Sequence, residues 1–209
     1  KKLNFDEVFI RSSNVGSIKI LEEIGIEKQR EFFEYIGLNE DLKIDGLRIV
    51  SNNLPQNWDE LASRFISYGY GISLSPISLI SAFSTLVNGG FRVKPKITKE
   101  GKTPQEKILK DKTSKKINLL LKKIVLEGTG KKAYVEGINV GGKTGTSKKL
   151  IDGEYSEKKL ITSFIGTFPI EDPKFSVLIL FDEPKRKNEK YLENFGGNTA
   201  APTFSRIVK

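Results

Sequence analysis

The chain has 209 residues, with 35 Lys and Arg against 26 Asp and Glu, a net charge of +9. It contains no His, no Cys and no Met. Within it a Ser-His-Asp triad, a cysteine nucleophile and an imidazole or thiolate zinc site are therefore excluded, and a general base must be Lys, Asp, Glu or Tyr.

The length supports one large domain or two small ones with a buried core. No segment is apolar and long enough to cross a bilayer, and no leader pattern is present. A chain without Met is expected to be a piece of a longer protein. The lysines are scattered, and no aromatic ladder interleaves with them. The charge thus reads as a compositional bias, compatible with mild attraction to an anionic cell envelope, and no nucleic-acid partner is expected.

In chain order, residues 4–10 read as a short helix. Ser12-Ser13-Asn14 follows, small polar residues of the kind that cap helices. Val15, Ile18, Leu21 and Ile24 then recur on one helical face, stopped by Gly25. A second amphipathic helix is predicted over 27–36, with Gly37 as its stop. Residues 38–58 are turn-rich, and Tyr68-Gly69-Tyr70-Gly71 is a tight turn. Ser75-Pro76 pairs a cap with proline at the first helical position, and the apolar residues behind it predict a largely buried helix up to Asn88-Gly89-Gly90.

Residues 92–98 read as a short edge strand or an extended segment, and 99–113 as a surface loop. Ile117, Leu120, Leu121, Ile124 and Val125 mark a further amphipathic helix ending near Gly128. Asp152-Gly153 is a hairpin turn signal, and Leu160–Phe168 and Phe175–Phe181 have strand composition, so 139–181 is predicted to be a three-stranded antiparallel meander. A charged loop over 183–198 leads to a last helix opened by Ala200-Ala201-Pro202. The helical part is placed at about 1–136, and the sheet with the C-terminal helix at about 137–209.

The densest chemistry lies in Gly141-Gly142-Lys143-Thr144-Gly145-Thr146-Ser147. Gly137–Thr144 fits the G-x-x-x-x-G-K-[ST] pattern of a phosphate-binding loop, and Asp182-Glu183 after an apolar strand imitates its magnesium-holding partner. That reading needs a buried strand before the lysine and a helix starting at it. Neither can be drawn, because lysines and a glycine precede the motif and the Asp152-Gly153 turn follows it. The competing reading puts Lys143, Thr144, Gly145 and Thr146 on an edge strand beside a cleft. There the lysine and hydroxyls face an anion and Gly145 admits a substrate backbone.

Ser12-Ser13-Asn14 and Lys143-Thr144-Gly145 occur in the order of the Ser-x-Asn and Lys-Thr-Gly elements of penicillin-interacting enzymes. With Tyr68-Gly69-Tyr70-Gly71, Leu74-Ser75-Pro76, Asn88-Gly89-Gly90, Glu127-Gly128-Thr129-Gly130, Gly196-Gly197 and Ala200-Ala201-Pro202, the sequence resembles the transpeptidase domain of class B penicillin-binding proteins over nearly its whole length. Ser12-Ser13-Asn14-Val15-Gly16 is more similar to the septal, cell-division branch than to the elongation branch.

The resemblance implies an α+β fold of the penicillin-binding and serine-β-lactamase type, an antiparallel sheet with flanking helices, incomplete at the N-terminus. It implies a peptidoglycan D,D-transpeptidase without cofactor or metal. Its substrates would be stem peptides ending in D-Ala-D-Ala, β-lactams would mimic them, and division proteins such as a septal glycosyltransferase would be partners. The full-length protein would be anchored by one inner-membrane span with this domain in the periplasm. Ser12 would relay protons, Asn14 would bind the acyl side of the substrate, and Lys143 would supply positive charge. Thr144 and Thr146 would bind the terminal carboxylate, beside Gly145, with the Thr146 N–H as half of an oxyanion hole.

The nucleophilic Ser-x-x-Lys is expected upstream of Lys1. The one literal match, Ser156-Glu157-Lys158-Lys159, reads as a solvated loop and a decoy. Residues 1–209 alone are therefore expected not to acylate, and to leave an apolar strand edge at Val177–Phe181 that favours aggregation. The alternatives are an ATPase using Gly137–Thr144, and an inactive or sensor module of the same fold.

Overall fold

Short polar caps decide where the helices begin. In the computed structural model, which describes residues 2–44, 46–99, 106–185 and 195–209, Asn4 and Glu7 form a reciprocal box at the head of α1 (Phe5–Arg11). Each backbone N–H donates to the other's side chain at 2.9 Å. Ser13 caps α2 (Asn14–Ile24), its Oγ accepting from the Gly16 N–H at 3.1 Å. Gly25, at φ +86°, ends α2 and opens α3 (Ile26–Tyr35). Two compact units result, Lys1–Val8 with Ser12–Ile117, and Phe9–Arg11 with Asn118–Lys209.

The first unit is helical. Sequence periodicity missed α4 (Glu60–Ile66), although Asp59 caps it through the Ala62 N–H at 2.8 Å. A seven-residue helix is too short for its period to register. The core packs Ile36, Leu38, Ala82 and Ile108 against Phe33, Leu74, Leu86 and Leu109. α5 (Pro76–Val87) starts at the predicted Ser75-Pro76, and of its residues only Pro76 is exposed.

Its most buried positions include Ser78, Ser81 and Thr85, which the apolar reading did not anticipate. They also bear on residues 92–98, expected as a short edge strand or an extended segment, which form no strand. The Val93 N–H donates to Thr85 Oγ1 at 3.0 Å, and its carbonyl accepts from Ser81 Oγ at 2.5 Å. The Val93 backbone groups are thus satisfied by helix side chains and need no strand partner, the Arg92 N–H donates to the Glu106 carbonyl at 2.8 Å, and an isolated Phe91–Lys107 bridge adjoins the segment. On α2, Leu21 is buried whereas Val15 and Ile24 are largely exposed. α6 (Asp111–Glu127) begins six residues before its predicted apolar face, inside the expected loop of 99–113. Residues 100–105 and 186–194 of the two expected loops lie outside the described residues.

The second unit holds the predicted meander, β1 (Gly141–Ile151), β2 (Glu154–Phe168) and β3 (Phe175–Asp182), antiparallel in the order β1-β2-β3. Asp152 and Gly153 both take positive φ, +51° and +85°, which a two-residue hairpin with the twist of its strands requires. β2 starts six residues earlier than predicted, so Ser156–Lys159 is strand and not loop. The charges there are solvated on a two-stranded ribbon whose register with β1 carries a bulge between Lys148 and Leu150.

α7 (Ala200–Val208) lies on the sheet. Ala200, Ala201, Phe204 and Val208 form one core with Val125, Ala133, Val135, Val140 and Phe164. The Phe164 and Phe204 rings sit 4.9 Å apart, both wholly buried. Burying a phenylalanine is worth roughly 1.5–3 kcal/mol, so this pair anchors the layer. Among the described residues no helix is long and apolar enough to cross a membrane.

Candidate active site

β1 is an edge of the described sheet, and its first half carries the polar cluster. Gly141 and Gly142 are buried because larger residues have no room. A Cβ on Gly142 would lie 2.4 Å from the Phe164 ring. Beyond them the strand continues through Lys143, Thr144, Gly145 and Thr146, which pair with Ile165, Phe164, Ser163 and Thr162 of β2. Lys143 is therefore the third residue of a strand of 11. No helix begins at it, which removes the geometry that a phosphate-binding loop needs. The acidic pair that completed that reading is held elsewhere, since Asp182 and Glu183 both bind Lys149 Nζ, at 2.9 and 2.7 Å.

Lys143 is half-buried, and its Nζ donates to the Thr144 carbonyl at 2.8 Å. Desolvation by burial pushes its pKa down from the usual lysine range to about 8. At pH 7 about a tenth of such amines are neutral, against under a thousandth for an exposed lysine. The group can thus act as a cation or give up its proton without any His.

The two threonine hydroxyls each have a partner outside the strand. Thr146 Oγ1 accepts from the Gly196 N–H at 3.0 Å, and Thr144 Oγ1 lies 2.8 Å from Thr129 Oγ1. The Phe195–Thr199 turn is pressed onto the strand pair. A Cβ on Gly196 would lie 2.3 Å from the Ser163 carbonyl and 2.4 Å from that of Gly145. Thr199 Oγ1 lies 2.8 Å from the buried Thr162 Oγ1. The Gly196 carbonyl in turn accepts from the Ala200 and Ala201 N–H groups that open α7. Thr129, Gly196 and Thr199 did not emerge as site residues from the sequence. The available signal was that Gly128-Thr129-Gly130 and Gly196-Gly197 put small residues at close approaches.

In the other unit, Ser12-Ser13-Asn14 lies at the head of α2. Ser13 spends its hydroxyl on the cap, and the flanking Ser12 and Asn14 are both exposed. Ser12 has φ +53°, a left-handed conformation that a non-glycine residue rarely adopts and that concentrates at functional positions. The structure thus groups Lys143, Thr144, Gly145 and Thr146 on one strand, and Ser12 with Asn14 around one cap, in separate compact units. Ser156 does not resemble a nucleophile. Its Oγ accepts from the Lys158 and Lys159 N–H groups, at 3.3 and 3.2 Å, within a strand.

Comparison with known proteins gives a family match, the penicillin binding protein transpeptidase domain, over residues 1–209. Stage V sporulation protein D of Bacillus subtilis is 34% identical over 97% of this chain and 33% of its own length. The probable peptidoglycan D,D-transpeptidase FtsI of Caulobacter vibrioides is 32% identical over 99% of this chain and 37% of its own. Among solved structures, the apo transpeptidase domain of Burkholderia pseudomallei penicillin-binding protein 3 superposes with a TM-score of 0.88 at 30% identity. That match covers 99% of this chain and 62% of that one. The chain spans about a third of the length of the curated relatives it matches.

Proposed function

This chain belongs to the penicillin-binding protein transpeptidase family, and we propose that it is the C-terminal portion of a peptidoglycan D,D-transpeptidase. A serine outside residues 1–209 attacks the carbonyl carbon of the D-Ala-D-Ala bond. The terminal D-Ala leaves as an amine, taking up a proton, and a serine ester remains. The amine of a neighbouring stem peptide then displaces the serine, which recovers a proton as the cross-link forms.

In this scheme Ser12 relays protons and Asn14 hydrogen-bonds the acyl side of the donor peptide. Lys143 supplies charge, and its depressed pKa suits it to share a proton with the lysine of the Ser-x-x-Lys element. The Thr144 and Thr146 hydroxyls donate to the terminal carboxylate, Gly145 leaves room for the peptide backbone, and the Thr146 N–H polarises the attacked carbonyl. β-Lactams present the same carboxylate and acylate the same serine. A septal role with division-machinery partners, including a glycosyltransferase, fits the Ser12–Gly16 pattern. The domain would lie outside the cytoplasmic membrane, tethered by one span.

The observation that carries the proposal is a half-buried lysine with a pKa of about 8, followed on one edge strand by two donor threonines, within a chain matched end to end. The test is acylation of the full-length protein by a fluorescent penicillin. Lys143→Ala is expected to slow it by about 10²–10⁴-fold, the usual worth of a group that moves protons. Labelling of Lys143→Ala at the wild-type rate would overturn the proposal. An unreactive wild type would favour an inactive scaffold of the same fold.

A further inference from the structure

An anionic ligand accepts hydrogen bonds and never donates them, so each threonine that holds it must spend its only hydroxyl proton on the ligand. The threonine oxygen can then still accept from behind. For Thr146 the structure provides that rear donor as a backbone N–H, that of Gly196, which can point only one way. Among the described residues Thr144 has no backbone donor at its hydroxyl. It has the hydroxyl of Thr129, 2.8 Å away, and either oxygen of that pair could be the donor.

We infer that Thr129 is a positioning residue for anion capture: it donates to Thr144 Oγ1 and so leaves the Thr144 proton free for the carboxylate. The inference deepens the proposed acyl-transfer reading and rests on it for the identity of the ligand.

Thr129 is fixed as such a part would have to be. It follows α6 in a turn whose Gly128 and Gly130 N–H groups both donate to the Ile124 carbonyl, at 3.0 and 3.1 Å. Its own N–H donates to the Ile10 carbonyl at 3.3 Å. On the other side Gly197 abuts it so closely that a Cβ there would lie 2.5 Å from the Thr129 carbonyl. The backbone is clamped at N–H and C=O, yet the residue itself is exposed. Its hydroxyl therefore contributes little to the core, and its removal leaves no buried group unpaired. With Thr129 as donor, the two threonines of β1 become equivalent, each receiving a proton from behind and offering one in front. Without it, Thr144 can turn its proton toward Thr129 or toward water, and only a fraction of molecules present two donors to the ligand. The cost falls on binding and not on the bond-making step.

The test uses the full-length protein and four variants, Thr129→Val, Thr129→Ser, Thr144→Val and the Thr129→Val/Thr144→Val double variant. Acylation by a fluorescent penicillin is resolved into a binding constant and a first-order rate. Thr129→Val should weaken binding by about threefold to tenfold, the worth of one hydrogen bond, with the first-order rate within about twofold. Thr129→Ser should restore binding, and Thr129→Val should add less than about twofold in the Thr144→Val background. Unchanged binding in Thr129→Val, no rescue by serine, or an equal loss in the Thr144→Val background each overturns the inference.

Binding of a D-Ala-D-Ala peptide followed by NMR is a second readout that needs no acylation. Should the wild type fail to acylate, weaker peptide binding by Thr129→Val retains the positioning role while the acyl-transfer reading falls. Equal peptide binding by wild type and Thr129→Val overturns the positioning role.

Discussion

Lys143 illustrates how a residue's chemistry comes from its surroundings. Its pKa of about 8 has desolvation as its cause, the loss of water around an ammonium group on a half-buried strand. The sign for stability follows directly. The folded pKa lies below the ordinary 10.5, so between about pH 8 and 10.5 the unfolded chain binds a proton that the folded chain does not. Stability due to this group rises with pH across that window, and the full penalty of burying the cation applies below about 8. Replacing Lys143 by Met should therefore stabilise the full-length protein at pH 7, with an advantage that shrinks toward pH 10. Urea unfolding of both proteins at the two pH values tests this, and a constant difference would refute the burial origin of the shift. The residue types at 143, 144 and 146 were legible from the sequence. Their partners were not, because Thr129 and Gly196 lie 15 and 50 residues from the threonines they meet and reach β1 only after folding.

At the scale of elements, the 195–199 turn matters as much as the strand it covers. Gly196 allows the turn to rest on the β1–β2 pair, where a methyl group would collide with two carbonyl oxygens that are themselves held in the sheet. Gly196→Ala should displace the turn, loosen the hydrogen bond to Thr146 and destabilise the protein by about 1–3 kcal/mol, the usual cost of overpacking. A melting curve indistinguishable from wild type would contradict this. Elements with strong local signals were read correctly from sequence. Ser75-Pro76 opens α5, Asp152-Gly153 closes the hairpin, and Ala200 opens α7. At residues 92–98 and at the start of β2, groups on another element set the outcome. In residues 92–98, Ser81 and Thr85 of α5 take both backbone groups of Val93, which a strand partner would have used. β2 extends across a charged stretch whose composition favours a loop because β1 pairs on both sides of it, Lys148 with Leu160 and Leu150 with Tyr155.

For the molecule as a whole, the described sheet ends in an edge. β3 pairs only with β2 among the described residues, and Phe175, Leu180 and Phe181 on it are exposed. An apolar edge of this kind recruits other strands. The 209-residue chain expressed alone should self-associate, and Leu180→Lys should reduce light scattering from it without loss of helical circular dichroism. A monodisperse, cooperatively melting wild-type chain would refute this.

Composition and motif order were enough to remove His- and Cys-based chemistry, to set the helical segments before the meander, and to favour a cleft-edge lysine over a phosphate loop. Those conclusions depend on residue identity and on contacts between near neighbours, which the sequence states directly. Only the tertiary structure decided that Ser13 performs the cap and leaves Ser12 and Asn14 exposed, that Lys143 loses enough water to titrate near pH 8, and that each threonine of β1 has a partner behind it. These are consequences of burial and of hydrogen bonds closed across long stretches of chain, and no spacing pattern encodes them.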